Sequence, residues 1–341
     1  MHPAIVFRKP DGSACSRPMP RLAMLLLCVA MTWHAAGCAA DVGEQAPALL
    51  DRNHPLVDKI LDVHSGAFIS QAQLITRLPQ SGYILLGETH DNRRHHEIQA
   101  QIIDALHKAL RHASVSFEMI NDEQGEALQA HAITSVDMLI ELLRGIEDKW
   151  PYARDYRVVF ESVLRAGYAI RPANLRRDTI RQIARQGEAG LPDNLRAHLK
   201  QAQLSAQQML ALEEDIVTAH CNMLPASAVQ PMLTVQRVRD AVMSLSLQES
   251  SAPIKLLIAG AGHVRNDSGV PFYLQSADRQ ARILAVGLIE VKPGLDEAHA
   301  YAERWGGGQL PFDYVWFTPR AERADPCAGL REKLHKSKSA K

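Results

Sequence analysis

Six short apolar runs, separated by segments of helical spacing, set the architecture of this chain before any single residue is considered. They are Tyr83 to Gly87, Ser114 to Glu118, Ala169 to Ala173, Lys255 to Ala259, Ile283 to Leu288 and Tyr314 to Phe317. Most are continuously apolar, as strands buried on both faces of a parallel sheet must be. Between the first two, Ile98, Ile102, Leu106 and Leu110 recur every four residues after Asp91, which stands where an N-cap belongs. The alternation predicts an α/β fold: a mainly parallel sheet with crossover helices. Two further stretches, about 123–143 and 192–247, are rich in Gln, Leu, Met and Arg and too long for plain crossovers. They are expected to form a helical insertion over one edge of the sheet.

The fold does not start at residue 1. Leu22 to Met31 is apolar, follows Arg17 and Arg21, and leads to Ala35-Ala36-Gly37-Cys38. Thr32 and His34 interrupt it well short of the roughly 20 apolar residues a membrane span needs. Residues 1–37 therefore read as a signal peptide, with translation beginning at Met1 or Met19. Gly37-Cys38 resembles the lipobox of bacterial lipoproteins, in which the cysteine becomes the acylated first residue; ordinary cleavage after Ala36 or Ala39 is the alternative. That resemblance implies anchoring in the bilayer through Cys38, and Ala39 in place of Asp implies delivery to the outer membrane, facing the periplasm. A lipidated start and linker over 38–58, one domain over 59–320 and a charged, disordered tail over 321–341 complete the expected division.

Charge excludes one class of partner. Lys plus Arg and Asp plus Glu are equal at 38 each, whereas nucleic-acid binding leaves a basic excess. Beyond Cys38 the cysteines are Cys221 and Cys327, too few for a disulfide framework; they could form one bridge or stay unpaired as small apolar residues. Neither Cys-x-x-Cys-His nor His-Glu-x-x-His occurs, so covalent c-type haem attachment and the commonest zinc-protease motif are absent.

Two of the strands end alike, in Gly87-Glu88-Thr89-His90 and Gly260-Ala261-Gly262-His263. In an open parallel sheet, function collects at the carboxyl ends of the strands, where glycine lets the backbone turn. Two Gly-x-x-His turns would bring His90 and His263 to one rim, and a third strand ending Phe117-Glu118 adds Glu118. Glu88, His90, Glu118 and His263 form a cluster that could relay a proton or hold a divalent metal. His95 and His96, one turn into the next helix, and Asn174, after a fourth strand, could extend it. Each Gly-x-x-His alone is commonplace; the repetition carries the inference.

These motifs, together with Asp91-Asn92, Ala219-His220-Cys221, Gln236-Arg237-Val238-Arg239-Asp240, Val264-Arg265 and Gly269-Val270-Pro271, run in order from about Lys59 to Glu290. In that order they resemble the ChaN family of haem-binding, iron-regulated lipoproteins. The family lies in a superfamily with the Tiki metalloproteases and erythromycin esterases, which share paired Gly-x-x-His turns. The resemblance implies ferric protoporphyrin IX held by tyrosine between two subunits against the helical insertion, with a haem receptor as a further partner. It marks Gln236, Arg239 and Asp240 as family positions, which could brace the cleft or lie on a solvated helix face.

Tyrosinate suits ferric haem that is bound and released, so the candidates are Tyr152 and Tyr156, beside Arg154 and Arg157, with Tyr168 in the same region. His220, between two expected helices, is the other candidate. Tyr152 and Tyr156 could equally cap and pack a helix starting near Pro151. The leading expectation is a haem-binding outer-membrane lipoprotein that serves iron acquisition and dimerises around its ligand. The alternative is a hydrolase, with or without a metal, using Glu88 or His90 as general base.

Overall fold

All six expected strands form, and all six lie in one sheet. The computed structural model describes residues 46–109, 111–148, 150–325, 327–329 and 331. The leader, the lipobox with Cys38, and residues 332–341 of the tail lie outside the described residues. In chain order the strands are β1 (Leu49–Leu50), β2 (Ile60–Asp62), β3 (Phe68–Ile69), β4 (Tyr83–Glu88), β5 (Ala113–Asn121), β6 (Ala169–Asn174), β7 (Ile254–Gly260), β8 (Ile283–Glu290), β9 (Tyr314–Thr318) and β10 (Arg320–Ala321). The helices are α1 (Gln71–Arg77), α2 (Arg93–Lys108), α3 (Asp122–Ala130), α4 (Val136–Ile146), α5 (Arg157–Ala166), α6 (Arg177–Gln186), α7 (Asp193–Gln201), α8 (Ala206–Ala219), α9 (Ala226–Gln248), α10 (Ala261–Val264) and α11 (Val270–Ala277).

The main sheet has eight strands in the order β3-β2-β9-β8-β4-β7-β5-β6. From β9 to β6 every neighbouring pair is parallel, whereas β2 runs antiparallel to both β9 and β3. Both faces are covered. Ile84 and Leu86 of β4 pack into a layer with Ile98 and Ile102 of α2 and Val159 and Phe160 of α5. Leu85, pointing the other way, joins Val264, Val270 and Leu274. That two-sided burial is why most of the strand runs are apolar on both faces.

Local signals explain the boundaries and one displacement. The N-cap of α2 is Asn92, whose side chain accepts from the Arg94 amide, rather than Asp91, which is drawn away by Arg323. The insertion is helical as expected: α3 and α4 fill the first stretch, and α7, α8 and α9 the second. The C-terminal half of α9 lies on the sheet against β5, β6 and β7. Its N-terminal half pairs with α8 around a small separate core of Leu212, Ile216 and Leu233.

The first residues assigned to the tail, 321–323, are tied to the fold. β10 pairs antiparallel with β1, the Glu322 amide donates to the Ala48 carbonyl at 2.7 Å, and Arg323 meets both Asp91 and Glu290. Cys327 is then bonded to Cys221, with Cα atoms 5.7 Å apart. Among the described residues, no helix is long and apolar enough to cross a membrane.

Candidate functional site

Three adjacent strands, β4, β7 and β5, deliver the cluster to one rim. The register pairs Glu88 of β4 with Gly260 of β7, and β5 carries Glu118 past the end of its pairing with β7. Close approach requires glycine at one of these places and favours it at another. A Cβ on Gly87 would stand 2.9 Å from the Cα of Ala261, so α10 could not sit over β4. A Cβ on Gly260 would come within 3.1 Å of His90 Nε2, so the bare backbone is what lets the two strand ends share a site.

Around these glycines runs a chain of alternating carboxylates and imidazoles. Asp240 of α9 accepts from His263 Nδ1 at 2.6 Å, and His263 Nε2 faces Glu118 at 3.6 Å. Glu118 accepts from the Gly260 amide at 2.8 Å and faces His90 Nε2 at 3.5 Å. His90 Nδ1 donates to Glu88 at 2.9 Å. Glu88 is the hub: it also accepts from the Tyr156 hydroxyl at 2.6 Å and from Gln99 at 2.7 Å. His96 Nε2 lies 3.2 Å from the same carboxylate, within ion-pair range but without the alignment of a hydrogen bond. Glu88, Glu118, Asp240 and His263 are all buried. His90 keeps a third of its side-chain surface exposed, edge-on to Trp150 with ring centroids 4.8 Å apart.

Charge follows from this wiring. Burial alone would raise the carboxyl of Glu88, but His96 and His90 outweigh it and hold the group well below its ordinary value. Burial likewise opposes the ionisation of Glu118, and His263 and His90 overcome it. Burial pulls the imidazoles down, yet Glu118 and Glu88 push His90 up to about 9, and Glu118 and Asp240 raise His263. Asp240, where burial wins over the neighbouring His263, rises to about 6. At neutral pH the centre of the chain is therefore imidazolium against carboxylate.

The supporting residues divide into those that reach the cluster and those that do not. Asn174 donates to the main-chain carbonyl of Glu118 at 3.0 Å and so holds the end of β5. His96 touches Glu88, and its ring lies 4.5 Å from that of Tyr156. His95 turns away: its Nδ1 accepts from the Thr89 amide at 2.9 Å and its Nε2 donates to Thr318 at 2.8 Å, fixing a neutral ring. Arg265 is also elsewhere, buried against Asp215 and Asp267 and stacked over Trp305. Gln99 and Trp150 belong to the site and were not singled out from the sequence. Gln99 lies three residues beyond His96, one turn on the same face of α2, which is the signal that could have found it.

The neutrality of His95 and the charge of His90 have opposite consequences for stability. Complete burial takes His95 down to about 3, so between that value and its ordinary 6.5 only the unfolded chain binds the proton. Stability is lost as pH falls through this window. His90 binds its proton more tightly when folded, so its contribution is full below 6.5 and is lost as pH rises through about 9. Melting temperature should peak near neutral pH and fall on both sides. A scan of the melting midpoint against pH checks this, and a steady rise across the range would refute it.

The haem candidates are placed very differently from one another. Tyr152 is fully buried, its hydroxyl donating to the Met119 carbonyl at 2.5 Å and accepting from Gln124 at 3.1 Å. Tyr156 is fully buried against Glu88, and burial next to that carboxylate pushes its hydroxyl well above 10. Tyr168 donates to the Arg111 carbonyl at 2.6 Å. These hydroxyls are committed inside the domain, and the acidic neighbours of Tyr156 oppose its ionisation. His220 ends α8 half-buried, with Nδ1 2.7 Å from the Ile216 carbonyl. Among the described residues, no group of three or more His, Cys, Asp or Glu is arranged to hold a metal ion.

Comparison with known proteins agrees with this architecture. The family model described as haem-binding uptake, Tiki superfamily, ChaN matches residues 74–274. Among solved structures, ChaN of Campylobacter jejuni, described in cofacial haem binding, is similar with a TM-score of 0.55 at 22% identity, over 75% of this chain and 95% of that one. A type III effector aligns with a TM-score of 0.41 at 12% identity, over 72% of this chain and 91% of that one. An erythromycin esterase in its open conformation aligns with a TM-score of 0.40 at 13% identity, over 75% and 95%. No curated protein matches the sequence.

Proposed function

The chain belongs to the ChaN family, and from that membership we propose that it is a haem-binding lipoprotein of the outer membrane, serving iron and haem acquisition, with His220 as its axial ligand. One observation carries the choice of ligand. His220 Nδ1–H donates to the Ile216 carbonyl, which fixes the tautomer with a lone pair on Nε2, at a half-buried position. A histidine whose far nitrogen is held by a carbonyl is the ordinary arrangement of an imidazole that ligates a metal.

The surroundings fit the group. His220 sits where α8 turns into α9, beside Met223 and Leu224, both half-buried, and near the small apolar core that Met209 and Met232 edge. Bound there, haem would supply a ferric iron with an open position for one nitrogen. The Cys221–Cys327 bridge fastens the turn that presents the imidazole. Two copies bringing such surfaces together would form the haem-dependent dimer.

The hydrolase reading lacks a base. A general base needs an unprotonated lone pair near neutral pH, and both imidazoles facing Glu118 are held towards the cation. Glu88 is buried among donors. The cluster is better suited to fixing the strand ends.

A hemin titration followed by absorbance and by size-exclusion chromatography tests the proposal. Saturable binding with a shift to dimer is expected, weakened at least about tenfold by His220→Ala, the loss of one metal-ligand contact. Tyr152→Phe and Tyr156→Phe should bind as the parent does. Unchanged binding by His220→Ala would remove the assignment.

A further inference from the structure

Beside the ion-pair chain, at the carboxyl ends of β5 and β6, lies a cleft of about 170 Å³ that the haem reading does not use. Its walls carry two carboxylates, Glu118 and Glu147, and three guanidinium groups, Arg177, Arg181 and Arg239. The carboxylates are answered from within the fold. Glu118 faces His90 and His263, while Glu147 accepts from Asn121 at 2.8 Å and stands 3.7 Å from Arg177. Among the described residues Arg181 and Arg239 make no ion pair or hydrogen bond with a carboxylate, although Arg239 is near enough to favour the ionised forms of Glu118 and Asp240. The Nε–H of Arg239 is withdrawn from solvent and has no acceptor.

A buried N–H without an acceptor is costly and uncommon, and in a native fold it calls for an explanation. Here the residue is placed by α9, one position before Asp240, so its site on the helix is fixed by the His263 pair. The guanidinium fork matches a planar carboxylate with two parallel hydrogen bonds. Glu118 and Glu147 in the same walls favour a single negative charge over a dianion.

We propose that this cleft binds a small carboxylate, either free or as the end of a larger molecule, with Arg239 as the deep contact and Arg181 as a contact at the rim. Trp150 and Ile180, which also line the cleft, give its mouth an apolar border against which a short carbon chain can rest. The site is independent of His220, which lies in the turn between α8 and α9.

Calorimetric titration of the purified protein with sodium acetate, against inorganic phosphate at matched ionic strength, is the test. Saturable acetate binding is expected, weakened at least about tenfold in Arg239→Gln, in line with the loss of a charge-assisted hydrogen bond. Arg181→Gln, on an exposed helix face, should weaken it several-fold and carries the test alone if Arg239→Gln does not fold. His220→Ala should leave it unchanged even if haem binding is abolished. The proposal is overturned by absence of saturable acetate binding, by phosphate binding where acetate does not, by unchanged affinity in folded Arg239→Gln, or by loss of acetate binding in His220→Ala.

Discussion

Replacing Glu88 by alanine is expected to destabilise the fold by about 3–5 kcal/mol, the cost of removing one partner from a buried ion pair and leaving the other charged. The carboxylate is 3% exposed and is the common acceptor for His90, Tyr156 and Gln99, with His96 at 3.2 Å. Truncation takes the acceptor from a hydroxyl and an amide and leaves the His90 imidazolium with Glu118, at 3.5 Å, in place of its hydrogen-bonded partner. Glu88→Gln keeps the shape but places a donor among donors, so it should recover only part of the loss. Denaturant unfolding of both variants checks this. An alanine variant within about 1 kcal/mol of the parent, the effect of an ordinary surface substitution, would mean that the cluster does not hold the strand ends together.

Opening the Cys221–Cys327 bridge should have an effect of similar size. The two cysteines are separated by 106 positions, and closing a loop of that length restricts the unfolded chain by about 4.7 kcal/mol on the entropy model, with measured bridges more often giving about 2–4. The double Cys221→Ser, Cys327→Ser variant should therefore unfold at clearly lower denaturant than the oxidised parent, and reductant should bring the parent to the same midpoint. If reductant leaves the parent unmoved while the protein stays monomeric and folded, the bridge contributes nothing to equilibrium stability. Cys221 and Asn222 both adopt positive φ, at 60° and 55°, a conformation that non-glycine residues take at some cost. The bridge thus acts on a turn that has little intrinsic preference for its own shape.

Much of the sheet was legible because its strands are buried on both faces. A parallel strand covered on both faces is mostly apolar, and the six runs stand out for that reason. The strands that escaped notice, β1, β2, β3 and β10, have two or three residues each, too few to stand out as an apolar run. The order of the strands, which brings β4, β7 and β5 side by side, is decided by contacts between residues far apart in the chain and leaves no local mark.

The site was legible to the same degree. Glycine followed by His at two strand ends located His90 and His263, and Glu118 followed from the strand it ends. What spacing could not reveal was direction. His95 and His96 are neighbours in sequence, yet a helix sends adjacent side chains about 100° apart, so one braces Thr89 and Thr318 while the other touches Glu88. Nor could composition tell a tyrosine that offers its hydroxyl from one that spends it, as Tyr152 does on Met119. That distinction is why the proposed ligand is His220 rather than a tyrosine.

The pairing of β1 with β10 brings Leu49 opposite Ala321 and Leu50 opposite Arg320. The chain therefore enters the fold beside a segment close to its end. A tether ahead of Leu49 would pull directly on this short ribbon, whereas a load beyond Cys327 would first meet the bridge to Cys221 and the Arg323 ion pairs. A label fused ahead of Leu49 thus tugs on the ribbon alone, while one fused beyond Cys327 is carried by the bridge, and neither approaches the carboxyl ends of β4, β5 and β7.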